Sequence, residues 1–501
     1  MNFQKRIAGS GLLATFLLST TAMADVGARD VWESWRGYLG GFGYDISASE
    51  KTDGNTLSIN DLTLGMSIPD EDGTVTVEMG SLQFVENGDG TVAIVMPNQM
   101  PMRILADVEG ETVDAVVTIS HTGFSTIVSG TPEEMTYTYN ASELGVALTS
   151  LVADGEPMPE GMVVNAIMSG VMGRSKMAVG ETITTQQKMS VDTLTYVVQA
   201  EDPEGGGTVD IKGSMSGLEM DADAVVPTGD YGEDPAAMFA AGFDIAGSYA
   251  LKGSDLAFML TEDGAQTNAT ITTGASNMAI KMNDMAMAYS GTLADIQLNA
   301  MGPDIPLPID VAMGEFGYGF EVPLKADEQP QDFAANLTLA DLAVSEMIWG
   351  MVDPGQVLPH DPATMIIDIV GKATVFTDIM TLDENSDEVP GELNAMSLKD
   401  LQLHIAGASL TGMGDFTFDN SDMESFDGLP RPEGALDLNI KGVNGLMDKL
   451  VQMGLLPEDQ VMGARMMLSM FSVPGAGEDE LTSRIEVNEQ GHVLANGQRL
   501  K

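Results

Sequence analysis

The chain contains no cysteine, which excludes a disulfide framework, a thiolate metal site, a cysteine nucleophile and a lipid-modified N-terminal cysteine. Basic residues are scarce: 22 Lys and Arg stand against 75 Asp and Glu, a formal net charge of −53. Phosphate neutralisation needs clustered cations, so nucleic-acid binding and polybasic attachment to a membrane surface are excluded. Beyond the first residues no uncharged apolar stretch is long enough for a transmembrane helix, which needs about 20 residues. An outer-membrane barrel would require aromatic girdles at both interfaces. Aromatics make up only 6% of the chain, and it ends in Gln498-Arg499-Leu500-Lys501 rather than on an apolar strand, so a barrel is rejected.

What is present begins with an address. Lys5 and Arg6 precede an apolar run over residues 7–18, and Ala22-Met23-Ala24 supplies a small-residue end. This pattern predicts a secretory signal peptide over 1–24, cut between Ala24 and Asp25, and hence a periplasmic protein. The competing reading, an N-terminal membrane anchor, fails on length. At 44% apolar content the remaining chain is expected to fold despite its charge.

Val31, Trp32, Trp35, Tyr38 and Leu39 fall on one face of a helix closed by Gly40-Gly41. Two tryptophans on this stripe could form a stacking platform for a sugar or base, but at helical spacing they read as anchors onto a sheet. Beyond it, apolar residues alternate: Val75, Val77 and Met79; Val92, Ile94 and Met96; Val113, Ala115, Val117 and Ile119; Met278, Ile280 and Met282, then Met285, Met287 and Tyr289. Period-two spacing broken by Gly, Asn and Asp is the pattern of antiparallel meanders. Helix returns near 444–472, with Leu446, Met447, Leu450 and Val451 in one stripe. A second helix, through Val461, Met462, Met466, Met467, Met470 and Phe471, is apolar almost all round and is expected to be buried or ligand-facing. The fold class is therefore mainly β: long antiparallel meander sheets, curved or packed, with an N-terminal helix and a C-terminal helical pair.

A short phrase recurs. LSINDLTL (57–64), GTLADIQL (291–298), LTLADLAV (337–344) and MSLKDLQL (396–403) share Asp-(Leu/Ile)-x-(Leu/Val). A second echo, Asp234-Pro235-Ala236-Ala237-Met238 and Asp361-Pro362-Ala363-Thr364-Met365, reads in both places as the capped start of a short helix before a strand. These suggest one strand type reused along a long sheet. The acidic, Gly- and Pro-containing stretch 226–234 is the best candidate boundary, between β-rich regions at 25–225 and 226–501.

Signatures of catalysis are missing. His121, His360, His404 and His492 are scattered, and no metalloprotease, nucleophile-elbow or Walker motif occurs. His121 continues the Val113 alternation, and His404 shares the polar parity of Gln402. Gly88-Asp89-Gly90-Thr91-Val92-Ala93 fits the dinucleotide pattern in letters only, because a strand follows it where a helix is needed. Acidic turns such as Asp70-Glu71-Asp72-Gly73 lack the full calcium-loop spacing. A carboxylate pair of the glycosidase kind cannot be picked from so many acids. The expectation is no enzyme, no cofactor and no metal.

The Val31-Trp32 to Trp35 helix, the LSINDLTL strand, and Leu436-Asp437-Leu438-Asn439-Ile440-Lys441-Gly442 leading into Met-rich helices together resemble an uncharacterised exported family, domain-of-unknown-function family 2125. The resemblance implies a β-rich periplasmic protein of a Gram-negative cell and brings no catalytic residue. The strand pattern is also similar to that of the long, grooved AsmA-like lipid-transport proteins, an analogy of fold only.

Methionine, 37 of 501 residues, is the remaining clue. Its flexible, polarizable side chain suits surfaces that accept variable apolar shapes, although it also fills core gaps in place of Leu and Ile. Met278, Met282, Met285 and Met287 on strands, with Met462, Met466 and Met470 on the late helix, form the candidate apolar ligand surface. The expected partner is a lipid or other apolar envelope molecule. The alternative is a structural or protein-interaction role in the envelope.

Overall fold

The computed structural model describes residues 25–41, 43–68, 73–157, 161–202, 205–229, 231, 235–382 and 389–501. The expected leader, the Asp70-Glu71-Asp72 turn and part of the 226–234 stretch lie outside the described residues. Within them, one 28-stranded antiparallel sheet carries the fold. Pairing follows chain order: Glu134–Ala153 pairs with Val163–Val179, that strand with Thr182–Glu201, and that one with Gly207–Pro227. Shorter strands are halves of longer ones. Gly73–Met79 and Leu82–Glu86 lie end to end along Thr56–Ile68, as Asp244–Leu251 and Gly253–Glu262 do along Gly207–Pro227. Gly207–Pro227 and Asp244–Leu251, which lie either side of residues 228–243, pair directly with each other.

The recurring phrase marks a bend. Asp61, Asp295 and Asp341 have left-handed backbone (φ of 52°, 50° and 55°), a conformation that Asp tolerates better than most residues. One such residue interrupts the alternation, so apolar residues three apart stay on one side: Ile59 and Leu62, flanking Asp61, are both buried. The register also slips beside Asp61 and Asp341, and in the fourth copy, where Asp400 has ordinary φ, it slips as well: Leu398 and Leu401 oppose Ile369 and Ile367. Each long strand can thus bend while keeping its apolar face.

Helix α1 (Ala28–Gly41) forms as expected and packs on the start of the sheet, where Val31 and Trp32 join Ile59, Leu82, Phe84, Val128 and Met135 in the main core. Helix α2 (Pro235–Ala240) realises the first Asp-Pro echo. The second does not: Ala363–Val375 is a strand directly after Pro362. The residues that follow decide it, because Ala236-Ala237-Met238 favours helix whereas Ile366, Ile367 and Ile369 are β-branched. Helix α3 (Glu346–Val352) joins two strands, and α4 (Val443–Gln452) and α5 (Glu458–Phe471) form the C-terminal pair.

Candidate functional site

Directly opposed residues of antiparallel strands share a face, so the registers identify which side chains lie together. One row runs Tyr249, Met278, Gly291, Tyr318, Leu337, Ile367, Leu401, Gly412, Leu438 and Ser483, each opposite the next. Traced the other way from Tyr249 it passes through Met220, Met189, Gly173, Tyr139, Thr126, Ile94, Phe84 and Leu57. No member is charged. The opposite parity carries Lys281, Glu321, Asp368, Asp415, Asp437 and Arg484. The sheet thus has one apolar and one polar face over its whole width, as alternation on a one-sided antiparallel sheet requires.

Met278, Met282 and Met287 belong to the apolar face, where they are half-buried, and Met282 lies directly opposite Met287. Tyr289 donates to the Met278 sulfur at 2.7 Å and packs beside Tyr318 and Phe320, with centroids 5.5 and 6.0 Å away. Met285 is not on this face. It sits in the turn between Ser276–Asn283 and Ala286–Met301, held by the Asn283 side chain, because the hairpin reverses at Asp284-Met285 before the alternation can continue. The expectation for the last helix also needs correction in part. Along α5 only Val461 is buried, while Met462, Met466, Met467 and Met470 are 58–68% exposed. The helix is pinned by Arg465, which donates to Asn444 and pairs with Asp448, and by Ser483 of the apolar face, which donates to the Phe471 carbonyl.

At the other end of the sheet, α1 roofs a cavity of about 500 Å³ over the apolar face. Trp35, Tyr38 and Leu39 line it from the helix, and Leu62, Leu64, Met79, Leu82, Tyr137, Tyr139 and Met177 from the strands, with Ser175, Thr185 and Gln187 at one side. The roof is anchored by Trp32, whose indole N–H donates to Glu50 at 2.8 Å and whose ring lies against Phe84. That hydrogen bond lowers the Glu50 pKa below the ordinary carboxylate value, with Arg29 and Arg36 adding to it against a burial penalty. A second depression, about 730 Å³, crosses five strands and is bordered by Arg174, Lys188, Glu219 and Asp221 of the polar parity.

The histidines take separate places. His121 lies on the apolar face opposite Leu144 and beside Phe124, both ring nitrogens buried without a hydrogen-bond partner among the described residues. His360 is clamped: Nδ1 is 3.0 Å from Glu346, Nε2 is 3.5 Å from Asp353, and the ring stacks flat on Trp349 at 4.4 Å. Glu346 foremost, with Asp353, raises the His360 pKa. For Asp353, burial pushes the pKa up, but the N–H groups of Val357 and Leu358 and the imidazole outweigh it, and the net shift is downward. This cluster fixes α3 to the loop that follows it. Among the described residues no His, Asp and Glu group has the arrangement of a metal site.

No local pattern in the sequence pointed to the cavity, whose walls come from segments more than a hundred residues apart in the chain. The one available signal was the Trp35–Tyr38 stripe, read as an anchor. A family model described as an uncharacterised protein conserved in bacteria (DUF2125) matches residues 238–496. No curated protein and no solved structure matches the chain.

Proposed function

The chain belongs to this family of uncharacterised bacterial proteins, which brings no activity with it, and we propose from its geometry that it binds an apolar envelope molecule, such as a lipid, without catalysing a reaction. The observation that carries this reading is the apolar face itself: a continuous row from Leu57 to Ser483, half-buried at Met278, Met282 and Met287. A surface of that extent normally marks a binding site. Methionines and a tyrosine ladder let it adapt to chains of variable shape. The protein acts in the periplasm after loss of residues 1–24. Mass spectrometry of the secreted form should find Asp25 at its N-terminus, and an intact Met1 in the membrane fraction would refute export.

Native mass spectrometry of protein from its own envelope should show co-purified lipid. Met282→Asp with Met287→Asp places two charges on the face and should strip it. Met466→Asp with Met470→Asp, on an exposed helix side, reports whether α5 closes the face. A second reading, docking onto an envelope protein, is favoured by the same exposed α5 methionines. Lipid-free protein that recovers a single partner through α5 would decide for it.

A further inference from the structure

We propose that the cavity beneath α1 seats the terminal, uncharged end of a linear acyl chain whose remainder lies along the apolar face; this rests on the reading of that face as a ligand surface. The space under α1 is a cleft of about 500 Å³, open to solvent on one side, and falls in the ~300–1,000 Å³ range of ligand pockets.

The lining specifies which end of the ligand enters. Trp35, Tyr38, Leu64, Met79, Tyr137 and Met177 are aromatic, aliphatic or thioether, and among the described residues no charged side chain lines the space. A carboxylate, phosphate or ammonium placed there would lose its hydration without an ionic partner. The methyl end of a chain loses nothing of the kind. Geometry then sets the direction of the rest. Gln187 at the side of the cavity is followed on the same face of its strand by Met189, which opposes Met220, and the row continues to Tyr249 and Met278. A chain held by its end under α1 therefore has an uncharged path away from the helix, past Gln187 and onto Met189, Met220 and Met278. The Trp32–Glu50 hydrogen bond keeps the N-terminal half of the roof fixed.

The test uses the mature chain carrying Trp349→Phe, which leaves Trp32 and Trp35 as its tryptophans, and a single-chain lysophosphatidylcholine with bromines either at the chain terminus or next to the headgroup. Terminal bromines should quench tryptophan fluorescence saturably, and headgroup-proximal bromines should quench it far less. Met79→Phe with Met177→Phe, which fills the cavity with apolar bulk, should weaken terminal quenching by about tenfold or more. Stronger quenching by the headgroup-proximal label overturns the orientation. If lipid co-purifies but neither label quenches, the cavity assignment falls and the ligand face stands. If neither lipid nor quenching is found, both fall.

Discussion

The carboxylate of Asp341 lies over the backbone of Gly314 on the neighbouring strand, so close that a Cβ at residue 314 would come 3.1 Å from Oδ2. Asp295 stands over Gly274 in the same way, with the corresponding distance 2.8 Å. An acidic residue in left-handed conformation facing a neighbouring glycine thus recurs in two copies of the phrase.

Asp341→Val should therefore destabilise the protein, because a β-branched residue in left-handed conformation is strained by about 1–2 kcal/mol. Asp341→Gly and Asp341→Asn should be close to neutral by the same criterion. Chemical denaturation midpoints measure the order, and an Asp341→Val midpoint equal to wild type would refute the bend assignment.

The charge predicts a salt response. With 22 cations against 75 anions most carboxylates lack a cation of their own, and pairs such as Lys188–Asp221 and Arg484–Asp437 are exposed and contribute little. Self-repulsion should fall as the Debye length shrinks to a few Å. The thermal midpoint should rise between low salt and about 0.5 M NaCl, and a flat profile would show that the acids are already compensated.

The clamp on α3 has a pH window. Because the folded-state pKa of His360 is raised, its contribution is complete below the unfolded value of about 6.5 and is lost as pH rises through the folded value. Asp353, with a lowered pKa, contributes above about 3.9 and loses this as pH falls through its folded value. Protection factors of the α3 amides, taken relative to the base-catalysed intrinsic rate at each pH, should be highest between these limits and fall above neutrality. His360→Gln should abolish that fall in protection above neutrality.

Much of this architecture was legible in the sequence, for identifiable reasons. Val75–Met79 and Val113–Ile119 alternate strictly, so strand and face follow from side-chain geometry alone. The α1 stripe and the α4–α5 pair follow from helical spacing. The Asp phrase was visible as a repeat, but its meaning was not, since a left-handed φ at Asp61 or Asp341 leaves no mark beyond a three-residue gap between apolar neighbours. Met285 shares the parity of Met287 in sequence, and only the position of the hairpin removes it from the face. The exposure of Met466 and Met470 depends on what α5 packs against, which no local pattern contains. The cavity is longer-range still, because Leu64, Tyr137 and Met177 meet only through the whole sheet.

Trp32 supplies the sharpest stability test of the roof. It is 1% exposed, lies against Phe84 and donates to Glu50. Truncation to Ala removes a large buried ring and should cost about 3–5 kcal/mol, the range for buried aromatics. Trp32→Phe keeps most of the packing but deletes the donor, leaving Glu50 with its arginine neighbours only. Since the Glu50 pKa is depressed chiefly by that donor, its contribution is present above about 4.3 and is lost as pH falls through the folded value. Acid denaturation of wild type should therefore include a step that Trp32→Phe removes, while neutral-pH stability drops less than in Trp32→Ala. Equal losses at neutral pH in the two variants would mean that the hydrogen bond, not the ring, holds α1 on the sheet.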